Sequence, residues 1–79
     1  MSDARHQAVR AYVAAHVGRD DFDDDDDLFA TGLASSLFAV QVVMWVERTR
    51  GVPVAGDDLD IANFSSVNQI SAYLGQPHR

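Results

Sequence analysis

The sequence predicts an all-α fold, a four-helix bundle with three main helices, a short third helix and a long first loop. Amphipathic segments at residues 4–17 and 66–74 frame a strongly apolar segment that ends at Arg50. No stretch of useful length alternates apolar and polar residues as a half-buried strand does. The 79 residues suffice for a single domain, residues 1–79, with an ordered core expected over residues 4–75.

The first helix is predicted over residues 4–17, where apolar residues recur at helical spacing on one face: Val9, Tyr12, Val13 and Val17. Ser2 or Asp3 can cap its start. Gly18 suits the left-handed position after its end.

Residues 18–34 form the long first loop and hold most of the negative charge. Seven of the twelve acidic residues lie in residues 20–27, and the formal net charge of the chain is −6. We expect this aspartate run to be solvated and self-repelling, with its second half held on the core by three apolar anchors, Leu28, Phe29 and Leu33. A calcium loop of the EF-hand type is excluded, because a frame starting at Asp21 or Asp23 lacks the required glycine and glutamate.

The second helix should start near Ser35 or Ser36 and end near Arg50, with Gly51 after its end. It presents two apolar stripes. One comprises Ala39, Val42, Val43 and Val46, and the opposite one comprises Leu37, Val40 and Met44. A helix that buries one face has no structural need of a second stripe, so the second stripe indicates a further contact.

Residues 51–58 form a turn-rich link, and residues 57–64 allow one short helix with Leu59 and Ile61 pointing inward. The last helix is predicted to begin near Ser66, which has capping-box spacing with Gln69, and to stop at Gly75 and Pro77. The predicted core contains Val9, Val13, Phe29, Val42, Val43, Val46, Phe64, Val67 and Ile70.

The composition argues against several function classes. The chain has no cysteine, and His6, His16 and His78 lack the spacing of a metal site, so we expect no metal and no catalytic triad. The sequence has no cluster of positive charge, so we do not expect a nucleic-acid partner. We expect a basic protein as the partner, because opposite charge speeds encounter. The longest apolar run, residues 37–46, is far shorter than the about 20 residues that span a bilayer, and no leader segment is evident. We therefore expect a cytoplasmic monomer without membrane contact.

Ser35 and Ser36 stand at the start of the apolar helix. Serine at this place is commonly an N-cap. The free N–H groups and partial positive charge of a helix N-terminus also favour a phosphate ester. From the residues alone, a capping role and a modification site both stay open.

The segment "DLFATGLASSLFAVQVVMWVE" resembles the core motif of acyl carrier proteins, and "VPVAGDDLDIANFSSVNQISAYL" resembles their third and fourth helices. The resemblance covers about residues 9–74, most of the chain, and implies that the serine before leucine, Ser36, is the modified one. It implies that a phosphopantetheinyl transferase moves 4′-phosphopantetheine from coenzyme A onto Ser36, and that the thiol of this arm then holds an acyl thioester. The protein would be a carrier and not an enzyme.

The chain departs from the family pattern at Ser35, where Asp or Asn is usual, and in a second helix with Glu47 as its one acid. We therefore expect docking to rely on apolar contact, with the aspartate run supplying long-range steering. The expected docking residues are Leu37, Phe38, Val40, Gln41, Met44 and Glu47. The expected partners are an acyl-loading enzyme and a ketosynthase or acyltransferase.

The segment "SSLFAVQVVMWVE" is most similar to discrete carriers of polyketide extender units, such as glycerate-derived methoxymalonyl groups, in antibiotic biosynthesis. An aminoacyl, peptidyl or D-alanyl carrier would show much the same motif. The alternative from another class is an unmodified helical module that binds a partner through its apolar face.

Overall fold

The structure, a computed structural model, describes residues 4–75. It contains three α-helices, α1 (Ala4–Val17), α2 (Ser36–Arg50) and α3 (Val67–Leu74), and two 3₁₀ helices between α2 and α3. No strand occurs in residues 4–75, so the all-α prediction is confirmed. Ser2, Asp3, Pro77 and His78 lie outside the described residues. The predicted capping by Ser2 or Asp3 and the predicted helix stop at Pro77 therefore stay predictions.

The ends of the α-helices follow the local cues in the sequence. Gly18 and Gly51 both adopt φ +77°, the left-handed conformation that glycine accepts without a steric penalty. Their N–H groups donate to the carbonyls of Ala14 at 2.9 Å and Glu47 at 2.8 Å. The Ser66 hydroxyl accepts the Gln69 N–H at 3.1 Å and caps α3. The predicted helix bounds are therefore confirmed.

The predicted short third helix is replaced by two 3₁₀ helices, Gly56–Asp58 and Ile61–Phe64. The Asp60 side chain accepts the Ala62 N–H at 3.0 Å and starts the second of them, so the helical path is interrupted between the two. The inward orientation predicted for Leu59 and Ile61 is wrong, because these side chains are 60% and 56% exposed.

The core lies where α1 packs against α3 and where α2 packs across both the first loop and the second 3₁₀ helix. Its buried apolar residues are Val9, Val13, Phe22, Leu28, Phe38, Val42, Val46, Val54, Phe64, Val67, Ile70 and Tyr73. Phe29 and Val43, predicted for the core, are half-buried at its edge. Phe22 and Val54 were not predicted, since Phe22 is a lone apolar residue in the aspartate run and Val54 lies in a turn-rich link without helical or strand periodicity.

Five of the seven aspartates in residues 20–27 are exposed, as expected for a solvated run, but the loop is also held in place by contacts that the sequence-based expectation did not include. Arg10 of α1 reaches across it: Nη1 donates to Asp24 Oδ1 at 2.5 Å, and Nη2 donates to the carbonyls of Asp20 at 2.7 Å and Phe22 at 2.9 Å. The same guanidinium lies 4.5 Å from the centroid of the buried Phe22 ring. One arginine thus fixes the first half of the loop.

The run also meets the N-terminus of α3. The Asn68 backbone N–H donates to the Asp24 carbonyl at 3.0 Å, and its side-chain amide donates to Asp25 Oδ1 at 2.5 Å. Carboxylates at this end of a helix are stabilised by its dipole. Further along, the Leu28 N–H donates to the Ser65 carbonyl at 2.7 Å, so the loop is tied to the segment that precedes α3.

No helix within residues 4–75 has both the length and the apolar character that crossing a bilayer demands.

Candidate functional site

Ser36 is the first residue of α2, and its side chain is exposed. Ser35 occupies the N-cap position with extended backbone, φ −101° and ψ 175°, but its side chain makes no capping hydrogen bond. The first turn of α2 also holds no acidic residue. The positive end of α2 is therefore not neutralised by the side chains of its own cap and first turn.

Rigid neighbours hold this end of α2 in place. Phe38, in the first turn, is buried, and its ring centroid lies 6.2 Å from those of both Tyr12 and Phe29. Before the helix, Gly32 turns the chain with φ +81°, and the Ala34 N–H donates to the Leu28 carbonyl at 2.9 Å. The two serines thus sit on a fixed corner between the loop and the helix.

The expected docking residues divide by environment. Leu37, Val40 and Met44 are 65%, 57% and 54% exposed, so the second apolar stripe faces solvent. Gln41 is also exposed. Phe38 is only 5% exposed, and its buried position corrects its inclusion in a docking surface. On α2, Phe38 lies on the face that packs against α1 and the first loop, and not on the solvent-exposed apolar stripe.

Glu47 has a structural contact. Its side chain is half-buried, and Oε2 accepts the Val54 N–H at 2.9 Å. This bond ties the end of α2 to the link that carries the buried Val54. The sequence does not predict this contact, because the two residues are brought together by the path of the turn between them and not by helical spacing.

We expect Glu47→Ala to lower the free energy of unfolding by about 1–2 kcal/mol, because a half-buried N–H loses a charged acceptor. Glu47→Gln keeps an acceptor oxygen at the same place and should lose less. Urea denaturation followed by circular dichroism measures both. Equal stability of wild type and Glu47→Ala would show that the bond contributes nothing.

An apolar groove of about 310 Å³ separates α2 from the second 3₁₀ helix. Its lining residues are Ala39, Val40, Val43, Met44, Leu59, Asp60, Ile61 and Phe64. Sequence reasoning missed the groove because it placed Leu59 and Ile61 inside. Their exposure, together with that of Val40 and Met44, creates it.

Gln41 lines a different cleft, of about 320 Å³, which adjoins the C-terminus of α1. His16 borders this cleft, with its ring Nδ1 placed to donate to the Tyr12 carbonyl at 3.0 Å. Burial raises the pKa of the neighbouring Tyr12 hydroxyl, and the Arg48 charge opposes this shift. Because Gln41 lines this cleft and not the groove, it is separated from Val40 and Met44, which line the groove.

A family model described as a phosphopantetheine attachment site matches residues 7–74. The chain belongs to this family. Carrier domains of the family hold a covalently attached 4′-phosphopantetheine, are not themselves catalytic, and interact with phosphopantetheinyl transferases and synthase enzymes. Comparisons with curated proteins and with solved structures give no significant match.

The corner at the start of α2 fits this prosthetic group. A phosphodiester needs an exposed hydroxyl, and both Ser35 and Ser36 are exposed. Its negative charge is favoured at a helix end whose N–H groups no capping side chain has satisfied. When bound, the group supplies a thiol for thioester formation, which this carrier domain, without cysteine, does not have among its own side chains.

Proposed function

We propose that the chain is an acyl carrier protein whose 4′-phosphopantetheine is attached to Ser36. The observation that supports this most is the exposed Ser36 side chain at the first position of α2, followed directly by Leu37 as in the family motif. Ser35 before it has a non-helical backbone and matches that motif less well.

In the attachment reaction, Ser36 Oγ loses its proton and forms a bond to the phosphorus of coenzyme A that bears the pantetheine. The anhydride bond at that phosphorus breaks, and adenosine 3′,5′-bisphosphate leaves. This chain contributes the nucleophilic oxygen and the helix N-terminus beside the phosphodiester. The transferase contributes the base and its metal ion.

Intact-mass measurement tests the proposal. The protein is incubated with coenzyme A, Mg²⁺ and a phosphopantetheinyl transferase of broad specificity. The expected result is a mass gain of one phosphopantetheinyl group, located by peptide fragmentation at Ser36. No mass gain with several transferases would overturn the proposal and favour the unmodified interaction module, for which the exposed apolar stripe of α2 is the supporting observation.

For the cargo, we propose an extender unit of polyketide biosynthesis, of the glycerate-derived or methoxymalonyl type. The support is the similarity of the segment around Ser36 and α2 to discrete carriers of such units. Purification from the native host and fragmentation of the prosthetic group give the mass of the acyl group. A mass that corresponds to an amino acid or a peptide would favour an aminoacyl or peptidyl carrier instead.

We propose that partner enzymes dock on the solvent-facing stripe of α2, which we define as Leu37, Val40 and Met44. Its large exposed apolar area is the kind of surface that marks protein interaction sites. Phe38 is excluded by its burial, and Glu47 by its bond to the Val54 N–H. The stripe lies on the same helix that begins with Ser36, so a docked enzyme would have the attachment site beside it.

Val40→Glu and Met44→Glu should each slow modification by the transferase by about tenfold or more, because docking would bury an unpaired charge. Both side chains are exposed, so helicity and thermal stability should stay unchanged. Ala11→Glu places the same charge on an exposed position of α1 and serves as the matched control. Rates equal to wild type in both variants would show that docking uses another face.

A further inference from the structure

The cleft of about 320 Å³ beside the C-terminus of α1, which we name the α1 cleft, borders the proposed attachment site. Its lining includes Ser35 and Leu37, the two residues that flank Ser36 in the chain. Val17, the last residue of α1, and Leu33 of the first loop also line it. The α1 cleft shares no lining residue with the groove between α2 and the second 3₁₀ helix.

The α1 cleft combines neutral polar side chains with apolar ones. Gln41 is exposed in its α2 wall, and a glutamine amide both donates and accepts hydrogen bonds. His16 is exposed in its α1 wall, where the ring is held by the Tyr12 carbonyl, 3.0 Å from Nδ1, and by the Tyr12 ring, with a centroid distance of 4.2 Å. Because a carbonyl only accepts, Nδ1 carries a proton. Nε2 is then an acceptor in the neutral ring and a donor in the protonated ring.

The groove on the other side of α2 is less suited to a ligand that contains amides. Its lining residues are apolar apart from Asp60, and the Asp60 carboxylate only accepts. Asp60 Oδ1 already accepts the Ala62 N–H at 3.0 Å. An amide carbonyl placed in the groove would lose hydration without gaining a side-chain donor. Amides are therefore favoured in the α1 cleft over the groove.

The prosthetic group of this family matches the α1 cleft in composition and reach. Between its phosphate and its thiol it contains two amides, a hydroxyl and a dimethyl carbon, and its length equals that of about four extended residues, roughly 13 Å. At 1.5 Å per residue, Gln41 lies about 7.5 Å along the helix axis from Ser36. A tether to Ser36 keeps the arm at an effective concentration of about millimolar, so weak contacts suffice to hold it.

We propose that the α1 cleft is the resting site of the pantetheine arm, and that His16 and Gln41 bind the amides of the arm. The inference rests on the proposed attachment of the prosthetic group to Ser36. Val17 and Leu33 contact its dimethyl carbon. Leu37 belongs both to the cleft and to the solvent-facing stripe of α2, so an enzyme that docks on the stripe displaces the arm and frees its thiol for reaction.

Nuclear Overhauser contacts between the arm and the protein test the resting site. An unlabelled arm is transferred from coenzyme A to the isotope-labelled protein, and intact mass verifies complete modification. Isotope-filtered spectra should show contacts from the two methyl groups of the arm to Val17 and Leu33, and none to Val43 and Ile61 in the groove. Contacts in the groove, or in neither place, would overturn the inference. Failure of the modification, visible in the mass before any spectrum, would instead count against the proposed function.

Gln41→Leu and His16→Phe each remove one polar partner of the arm, and phenylalanine keeps an aromatic ring beside Tyr12. The measurement is the change in the amide chemical shifts of Val17 and Leu33 between the unmodified and the modified protein. We expect each substitution to reduce this change by about twofold or more, because one hydrogen bond alters an equilibrium by about two- to tenfold.

Gln69→Leu is the matched control for Gln41→Leu. Gln69 is exposed on α3 and lies outside the lining of the α1 cleft, so this variant should keep the wild-type shift change. Circular dichroism on the same samples verifies that every variant is folded. Wild-type shift changes in both Gln41→Leu and His16→Phe would show that these two residues do not hold the arm, and would overturn the inference.

Discussion

Ser36→Ala is expected to abolish the mass gain with coenzyme A and transferase completely, whereas Ser35→Ala should keep it. The alanine removes the oxygen that forms the phosphodiester, and the neighbouring hydroxyl cannot replace it. Ser35 is the non-helical N-cap residue, while Ser36 is the first residue with helical geometry, so their side chains leave the chain in different directions.

The two variants control for each other. Neither hydroxyl caps a helix in the structure as Ser66 does, and both side chains are exposed, so both variants should unfold at the wild-type urea concentration. Intact mass after a fixed time, with circular dichroism on the same samples, separates chemistry from folding. A gain that persists in Ser36→Ala and disappears in Ser35→Ala would move the attachment site by one residue.

Arg10→Met should lower the free energy of unfolding by about 2–3 kcal/mol, because its guanidinium makes three charge-assisted hydrogen bonds across the aspartate run. Methionine keeps an unbranched apolar side chain at this position but removes the bonds to Asp24 and to the two loop carbonyls, together with the guanidinium over the Phe22 ring. For a domain of this size, such a loss is a large share of its stability. Urea denaturation measures it through the fluorescence of Trp45, whose ring stacks on Tyr12 with a centroid distance of 4.5 Å.

Arg19→Met is the matched control for Arg10→Met. Arg19 also pairs with an aspartate of the run, Asp21, but these side chains are 56% and 64% exposed, against 31% and 32% for Arg10 and Asp24. An exposed pair contributes little, so this variant should unfold close to wild type. Added salt should recover part of the stability of Arg10→Met by screening the repulsion among the aspartates. Equal effects of the two substitutions would contradict the proposed role of Arg10.

The proposed attachment site could be predicted from the sequence because its cues are local. The apolar periodicity, Gly51 after α2 and the Ser-Leu pair at its start all lie within one segment of chain. The exposed second stripe of α2 was also predictable, since an apolar stripe opposite the buried one has no place in a small core. Phe38 was misassigned because its neighbours in space, Tyr12 and Phe29, belong to other elements.

The sequence by itself determined the three α-helices and their ends, because helix caps and left-handed glycines act within a few residues. Only the tertiary structure decided the conformation of the aspartate run, because that conformation depends on contacts with Arg10 and with the N-terminus of α3. It likewise decided that Leu59 and Ile61 face outward and form a groove beside α2. These features depend on pairs of residues far apart in the chain, whose meeting is fixed by packing and not by local propensity.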